Sequence, residues 1–299
     1  FYEEVVRPHL TASGCRHNLI MMDARRCSEA FNDSGSRPRS AGKLYSLIPV
    51  NVGGAFHPKI LLLLGRNKGS LFVGSHNLTL AGYSSNLELT NKFTYVSARE
   101  RKQIQAEITA LQSAYQFLKS YIEGQPEIVQ EMFEAFERLV PWLREPHLVN
   151  ADTPFIGSSI SGETLWEKVQ WKLPTSAQRI FIVGPFFDAK LQFLKHLADR
   201  LDSQKLIVGL DPEEVEITDD APQLLPHARF VDAQVLREGG GYLHAKAILI
   251  ESIDGQEVLI TGSANPSGAA WLAPPAMRNA EAVVVRANVQ DQVVADIKQ

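Results

Sequence analysis

His57 and Lys59 stand two residues apart ahead of an apolar run, and His244 and Lys246 repeat the arrangement far downstream. In an extended chain, side chains two apart share a face, so each pair offers an imidazole and an ammonium to one point. Each pair is followed at nearly equal distance by a Gly-Ser-x-Asn run, Gly74-Ser75-His76-Asn77 and Gly262-Ser263-Ala264-Asn265, and then by a glutamate in a hydrophobic stretch, Glu88 and Glu281. The small Gly-Ser residues let a backbone or ligand come close. Two lysines and two asparagines converging on a point suit a phosphate, whose charge grows on its equatorial oxygens in the transition state. One imidazole can attack phosphorus to give a covalent phosphohistidine. The other can protonate the leaving oxygen and then activate water. The glutamates can orient and charge-stabilise the imidazoles, as a carboxylate does in a catalytic triad. No Asp/Glu cluster of the kind that holds paired magnesium ions stands out, and the lysines would neutralise charge in place of a metal. Neither a metal nor a cofactor is therefore expected.

A lone His-x-Lys would say little, because most histidines are packed or at the surface. Its duplication is what points to function. The run Gly53-Gly54-Ala55-Phe56-His57-Pro58-Lys59 resembles Gly240-Gly241-Tyr242-Leu243-His244-Ala245-Lys246, and Leu71-Phe72-Val73 before the first Gly-Ser resembles Leu259-Ile260-Thr261 before the second. An internal repeat of this kind implies a duplicated lobe. Segments 19–22, 60–64, 71–73, 87–89 and 93–96 read as strands of the first half, and 180–183, 206–210, 247–250, 258–261 and 282–285 as strands of the second. All are short, apolar and bounded by Gly, Pro, Asn or Asp. Their continuous apolar character suggests strands covered on both faces. Residues 98–143 read as one long helix, a break at Gly124-Gln125-Pro126, and a second helix; 163–172 and 190–201 look helical too. Pro, Asn and Asp cluster over 146–154. The expected architecture is therefore α/β with two similar lobes, 1–150 and 151–299, each a mixed β-sheet flanked by helices and each carrying one His-Lys-Asn-Glu set.

These residues resemble the signature of the phospholipase D superfamily, His-x-Lys followed by Gly-Ser-x-Asn and present twice. Members have an α/β fold with the active site at the interface of two similar lobes or subunits, so the resemblance implies one complete site in this chain. The usual motif also has an aspartate five residues after the lysine; here Leu64 and Glu251 occupy those positions. That departure points away from the lipid-hydrolysing members and toward the tyrosyl-DNA phosphodiesterase and nuclease branch. The run Gly262-Ser263-Ala264-Asn265-Pro266-Ser267-Gly268-Ala269-Ala270-Trp271 is similar to the second motif of that branch. Carried over residue by residue, His57 would be the nucleophile and His244 the general acid and base. Lys59, Lys246, Asn77 and Asn265 would bind the phosphate, and Glu88 and Glu281 would support the histidines. Ser75 and Ser263 are placed with the substrate contacts.

Other features are weighed from composition and pattern. A formal net charge of −4 and a pI near 6.1 argue against a general nucleic-acid coat but leave room for a local basic groove. The loop 32–43 carries Arg37, Arg39 and Lys43, the candidates for a DNA-backbone contact. Phe187, after the strand-end run Gly184-Pro185-Phe186, is a candidate for stacking on a base. His76 is expected to point away from the site by alternation, and Trp271 to lie in the core. The two cysteines, Cys15 and Cys27, fit no zinc pattern or disulfide framework. No apolar run approaches the ~20 residues of a membrane span, and the expected compartment is cytoplasmic. The chain opens on Phe1, and it is expected to be an excerpt of a longer protein. DNA is the expected substrate and partner. Further domains of the same chain, an ATPase or helicase, and a second copy are the other partners considered, and defence or repair is the expected setting. The alternatives are a phospholipase or phosphatidyl transferase, and a DNA-binding module without turnover.

Overall fold

A seven-stranded mixed sheet organises the second half of the chain, and two smaller sheets organise the first. The computed structural model describes residues 1–35, 37–98, 105–144, 153–215, 217–218, 220–236, 241–288 and 292–299. In the first half, α1 (Arg7–Ala12), β1 (Leu19–Asp23), α2 (Ala24–Asn32), β2 (Ser46–Val50), β3 (Ile60–Leu64), β4 (Lys68–Gly74), α3 (Leu80–Ser84) and β5 (Thr90–Val96) lead into two helices, α4 (Gln105–Ser120) and α5 (Glu127–Leu139). The second half runs β6 (Phe155–Gly157), α6 (Leu165–Val169), β7 (Ala177–Val183), α7 (Gln192–Arg200), β8 (Leu206–Leu210), α8 (Ala221–Leu224) and β9 (Ala228–Asp232). It ends with β10 (Ala247–Ser252), β11 (Glu257–Gly262), α9 (Gly268–Trp271), β12 (Ala282–Ala287) and α10 (Gln292–Lys298).

The second-half sheet has the order β6-β12-β11-β10-β7-β8-β9, parallel across β7-β8-β9 and antiparallel elsewhere. The first half departs from the expectation of one mixed sheet. Its strands split into a parallel pair, β1-β2, and an antiparallel triple, β3-β4-β5. Segment 87–89, expected as a strand, makes only an isolated bridge from Leu87 to Leu243. The expected division at 150/151 and most of the 146–154 cluster lie outside the described residues, as do 99–104 at the head of the expected long helix, and Gly240.

β12 shows how the halves are joined. Ala282 and Val284 belong to the apolar core that also holds Leu71, Val73, Leu111 and Tyr115 of the first half. Val283 and Val285, on the opposite face, belong to the core under α6 and α7. A strand buried on both faces has no polar side to show, which explains the unbroken Ala282-Val283-Val284-Val285 run. β4 and β5 pack against β11 and β12. At that junction the buried Asn91 donates from Nδ2 to Thr261 Oγ1 at 2.7 Å and to the Val73 carbonyl at 3.2 Å. Each large side chain withdrawn from water here contributes about 1.5–3 kcal/mol, so burial at this junction stabilises the docked halves.

Candidate active site

The residues before β3 and before β10 are the ones that matter, and each run is laid along the other half. Phe56 bridges in parallel to Ala280, and Leu87 to Leu243. The His57 amide donates to the Ala280 carbonyl (3.0 Å) and the Ala280 amide to Ala55 (2.9 Å). In the mirror arrangement, the Leu87 amide donates to Tyr242 (2.9 Å) and the His244 amide to Leu87 (3.1 Å). Glycine makes these approaches possible. A Cβ on Gly54 would overlap Asn279, and one on Gly241, whose φ is +96°, would overlap the Ser85 carbonyl. A carboxylate anchors each half from below. Asp23 caps α2 by accepting from the Arg25 and Arg26 amides, and its other oxygen accepts from the Phe56 amide at 2.9 Å. Asp188 accepts from the Gln192 amide at the start of α7 (2.8 Å) and from the Gly268 amide behind Asn265 (2.9 Å). In the first half a helix cap, and in the second an acceptor for the first amide of a helix, is thus tied to the placement of a site loop.

The pairing of the charged groups is crossed. His57 Nδ1 lies 3.1 Å from both carboxylate oxygens of Glu281, and His244 Nδ1 lies 2.9 and 3.0 Å from those of Glu88. Each histidine is therefore held by the glutamate of the opposite half. Burial alone would raise the Glu281 carboxyl. The charge and hydrogen bond of His57, the charge of Lys59 and the hydroxyl of Ser263 outweigh it, and its pKa is lowered. Glu88 is lowered in the same way, burial being overcome by the hydrogen bonds of His244 and Ser75. An ionised carboxylate can only accept, so each Nδ1 must carry a proton. Each Nε2 is thereby left as the reactive nitrogen.

Both lysines are buried, Lys59 at 8% exposure and Lys246 at 2%. Each ammonium donates to the carbonyl of its own histidine, Lys59 to His57 at 2.9 Å and Lys246 to His244 at 2.7 Å. Desolvation pushes Lys59 down to about 8, against the pull of Glu281 and Glu88. It pushes Lys246 down to about 7, aided by repulsion from Lys59. In both, burial outweighs the pull of the nearby carboxylates, and a bound anion would add to that pull. Asn265 keeps a buried Oδ1 with no protein partner, whereas Asn77 is exposed. Among the described residues no group of three or more His, Cys, Asp or Glu is placed to hold a metal ion.

Two supporting residues escaped the sequence reading. Asn86 donates from Nδ2 to Glu88 Oε1 and Asn279 from Nδ2 to Glu281 Oε1, both at 3.2 Å. The repeat thus extends to Asn-x-Glu in both copies, a signal visible in the sequence once the glutamates are aligned. Asn279 also accepts the Ala55 amide at 3.0 Å. Its neighbour Arg278, 4% exposed, donates to the carbonyls of Ala273, Ser159, Glu163 and Gly162 and so fixes the loop.

Several expected contacts sit elsewhere. Ser75 and Ser263, placed with the substrate, are fully buried. Their hydroxyls donate to Glu88 and Glu281 at 2.5 Å and accept the amides of Leu89 and Ala282 at 3.0 Å. They hold the glutamates and have no face toward a ligand. Phe187 lies in the core; its neighbour Phe186 is the one exposed, at 56%. Arg37, Arg39 and Lys43 are exposed on a loop that Glu3 ties down by accepting the Arg39 and Ser40 amides. No contact joins their side chains to the histidines. His76 is half-buried, with Nδ1 3.0 Å from Thr90 Oγ1 and its ring edge-on to Tyr83. Its pKa is lowered, chiefly by burial, and Glu88, Lys59 and His244 all act on it. It lies within electrostatic reach of the site, because the chain leaves strand geometry after Gly74 and alternation no longer applies.

The fold is phospholipase D-like. Among solved structures, the yeast tyrosyl-DNA phosphodiesterase, a phospholipase D superfamily member, superposes with a TM-score of 0.53 at 12% identity, over 85% of this chain and 74% of that one. Two of its histidine mutants superpose with TM-scores of 0.52 and 0.51, at 12% and 13% identity, over 85% of this chain and 73% of theirs. No protein-family model matches the chain, and no curated protein matches it by sequence. At such identities the likeness is one of fold, and the chemistry rests on the side chains described above. No helix among the described residues is long and apolar enough to cross a membrane.

Proposed function

We propose that this chain is a phosphodiesterase acting on DNA, as a nuclease or by processing ends, through a covalent phosphohistidine and without a metal. The observation that carries this reading is the crossed pairing of two histidines with two glutamates beside two buried lysines. A phosphodiester seated between Lys59 and Lys246 adds counter-charge, and the lysines neutralise the charge that grows on its oxygens. Asn265 and Asn77 flank the phosphate through their amides.

His57 Nε2 uses its lone pair to form a P–N bond, and the bond from phosphorus to the leaving oxygen breaks. That oxygen takes the proton from His244 Nε2. Glu88 stabilises the imidazolium that His244 must be at this point, and Glu281 the charge that develops on His57. In the second step His244 accepts a proton from water, the water oxygen attacks phosphorus, and the P–N bond breaks to free His57. His57 is assigned as nucleophile because its side chain is the more open, 28% exposed against 14% for His244.

The test is cleavage of labelled single- and double-stranded DNA in excess EDTA by the wild type, His57→Ala and His244→Ala. Cleavage that persists in EDTA and disappears in both variants supports the mechanism. Cleavage lost in EDTA, or equal in the variants, overturns it.

A further inference from the structure

The crossed pairs are near mirror images that differ in the openness of the two histidines, 28% against 14%, and this alone does not fix the direction of a strand. The rims do differ. Where the second copy has Ala264, 6% exposed, the first has His76. Where the second has Trp271, the first has Tyr83. Trp271 is 2% exposed, stacks on Phe193 at 4.7 Å and donates to the Asn265 carbonyl at 3.0 Å. α7 covers α9 there. α3 lacks such a cover among the described residues: Leu80 is 64% and Tyr83 46% exposed.

This open corner lies beside the site. The Tyr83 ring meets the His76 ring edge-on, 4.8 Å between centroids, and Phe1 packs at 5.7 Å on the same tyrosine. His76 follows Ser75, whose hydroxyl holds Glu88, the partner of His244. Just beyond α3, Ser85 abuts Gly241, and the adjoining Tyr242 ring lies 5.5 Å from that of His244. Burial depresses the His76 pKa, which favours a neutral ring over another phosphate clamp. Nδ1 is engaged with Thr90, which holds the ring in place.

We propose that His76 and Tyr83 form a stacking subsite for the nucleobase next to the scissile phosphate on the His244 side, so that the strand is accepted in one polarity. This rests on the phosphodiesterase reading above. Base-on-aromatic stacking tolerates any base, so the subsite sets direction and not sequence. Both residues are positioning residues.

Two thymidine dinucleotides, one lacking the base on the 5′ side and one lacking it on the 3′ side, test the proposal. The wild type should differ between them in kcat/KM by about tenfold. That ratio should fall toward one in Tyr83→Ala and in His76→Ala and persist in Tyr83→Phe, whereas a merely structural role would slow both dinucleotides alike and leave the ratio unchanged. A wild-type ratio near one, or one that survives in Tyr83→Ala, overturns the proposal. A second arm does not need turnover. Wild type and Tyr83→Ala are titrated with phosphorothioate-linked tetrathymidylate and with its abasic counterpart. If the wild type cleaves neither dinucleotide yet prefers the base-bearing tetramer, and Tyr83→Ala loses that preference, the subsite stands and the catalytic reading falls. Absence of any base preference in binding removes the subsite, whatever the cleavage shows.

Discussion

His57 and Glu281 are 224 residues apart in the chain and in contact through Nδ1 and both carboxylate oxygens at 3.1 Å. The pair can form only when the two halves are docked. His244 and Glu88, 156 residues apart, repeat it in the opposite direction. Neither half holds a supported histidine by itself, so docking and assembly of the site are the same event.

Crossed support predicts which glutamate governs which ring. Glu281→Gln should remove the downfield Nδ1 proton resonance of His57 and leave that of His244, and Glu88→Gln should do the reverse. Each change should lower kcat by about 10²–10⁴-fold, the scale seen when a histidine loses its orienting carboxylate. Proton NMR assigned with His57→Ala and His244→Ala checks it; resonances that respond within the same half would refute the crossing.

The two histidines should separate by trapping. With a labelled substrate, His244→Asn should retain a covalent phosphoryl-enzyme that is stable to denaturation and labile in acid, because the group that activates water is gone. His57→Asn should retain none. Label on neither variant, with activity lost in both, would speak for direct attack by water.

The lysines predict a pH dependence with a definite sign. Folding lowers Lys59 to about 8 and Lys246 to about 7 from the ordinary 10.5. Between those values and 10.5 the unfolded chain binds more protons, so these two groups make the empty protein more stable as pH climbs through that window. An anion in the site reverses the shift. Its binding takes up protons, and affinity should fall by up to about tenfold per pH unit for each lysine that must be recharged. Thermal melts with and without inorganic phosphate at pH 6 and pH 9 check this; the increase in Tm should be larger at pH 6.

Ser75→Ala and Ser263→Ala should each cost about 1–3 kcal/mol of stability, because a buried amide loses its acceptor and a buried carboxylate oxygen loses one of its two donors. Activity should fall through kcat as the glutamate loosens, with KM little changed. Denaturant unfolding beside steady-state kinetics tests this. An effect confined to KM would return the serines to the substrate.

The chemistry-bearing residues were legible in the sequence because they recur. His-x-Lys, Gly-Ser-x-Asn and a later glutamate appear twice, and local spacing alone puts His and Lys on one face. Most of the strands were legible too, since a run such as Ala282-Val283-Val284-Val285 stays apolar when covered on both sides, but β2, β6 and β9 were not anticipated, and β3 is only partly buried along its length. The Asn-x-Glu extension was equally present, but an asparagine two residues before a glutamate signals nothing until the glutamates are known to hold the histidines. Other features were decided by tertiary structure. Which glutamate meets which histidine, the burial of Ser75 and Ser263 behind them, the loss of Phe187 to the core and the nearness of His76 to the site all depend on how two separate segments dock. Spacing along the chain reports on one segment's own faces. It carries no information about which distant segment those faces will meet, and here the contacts that tune the acid, the base and the lysines all come from the distant segment.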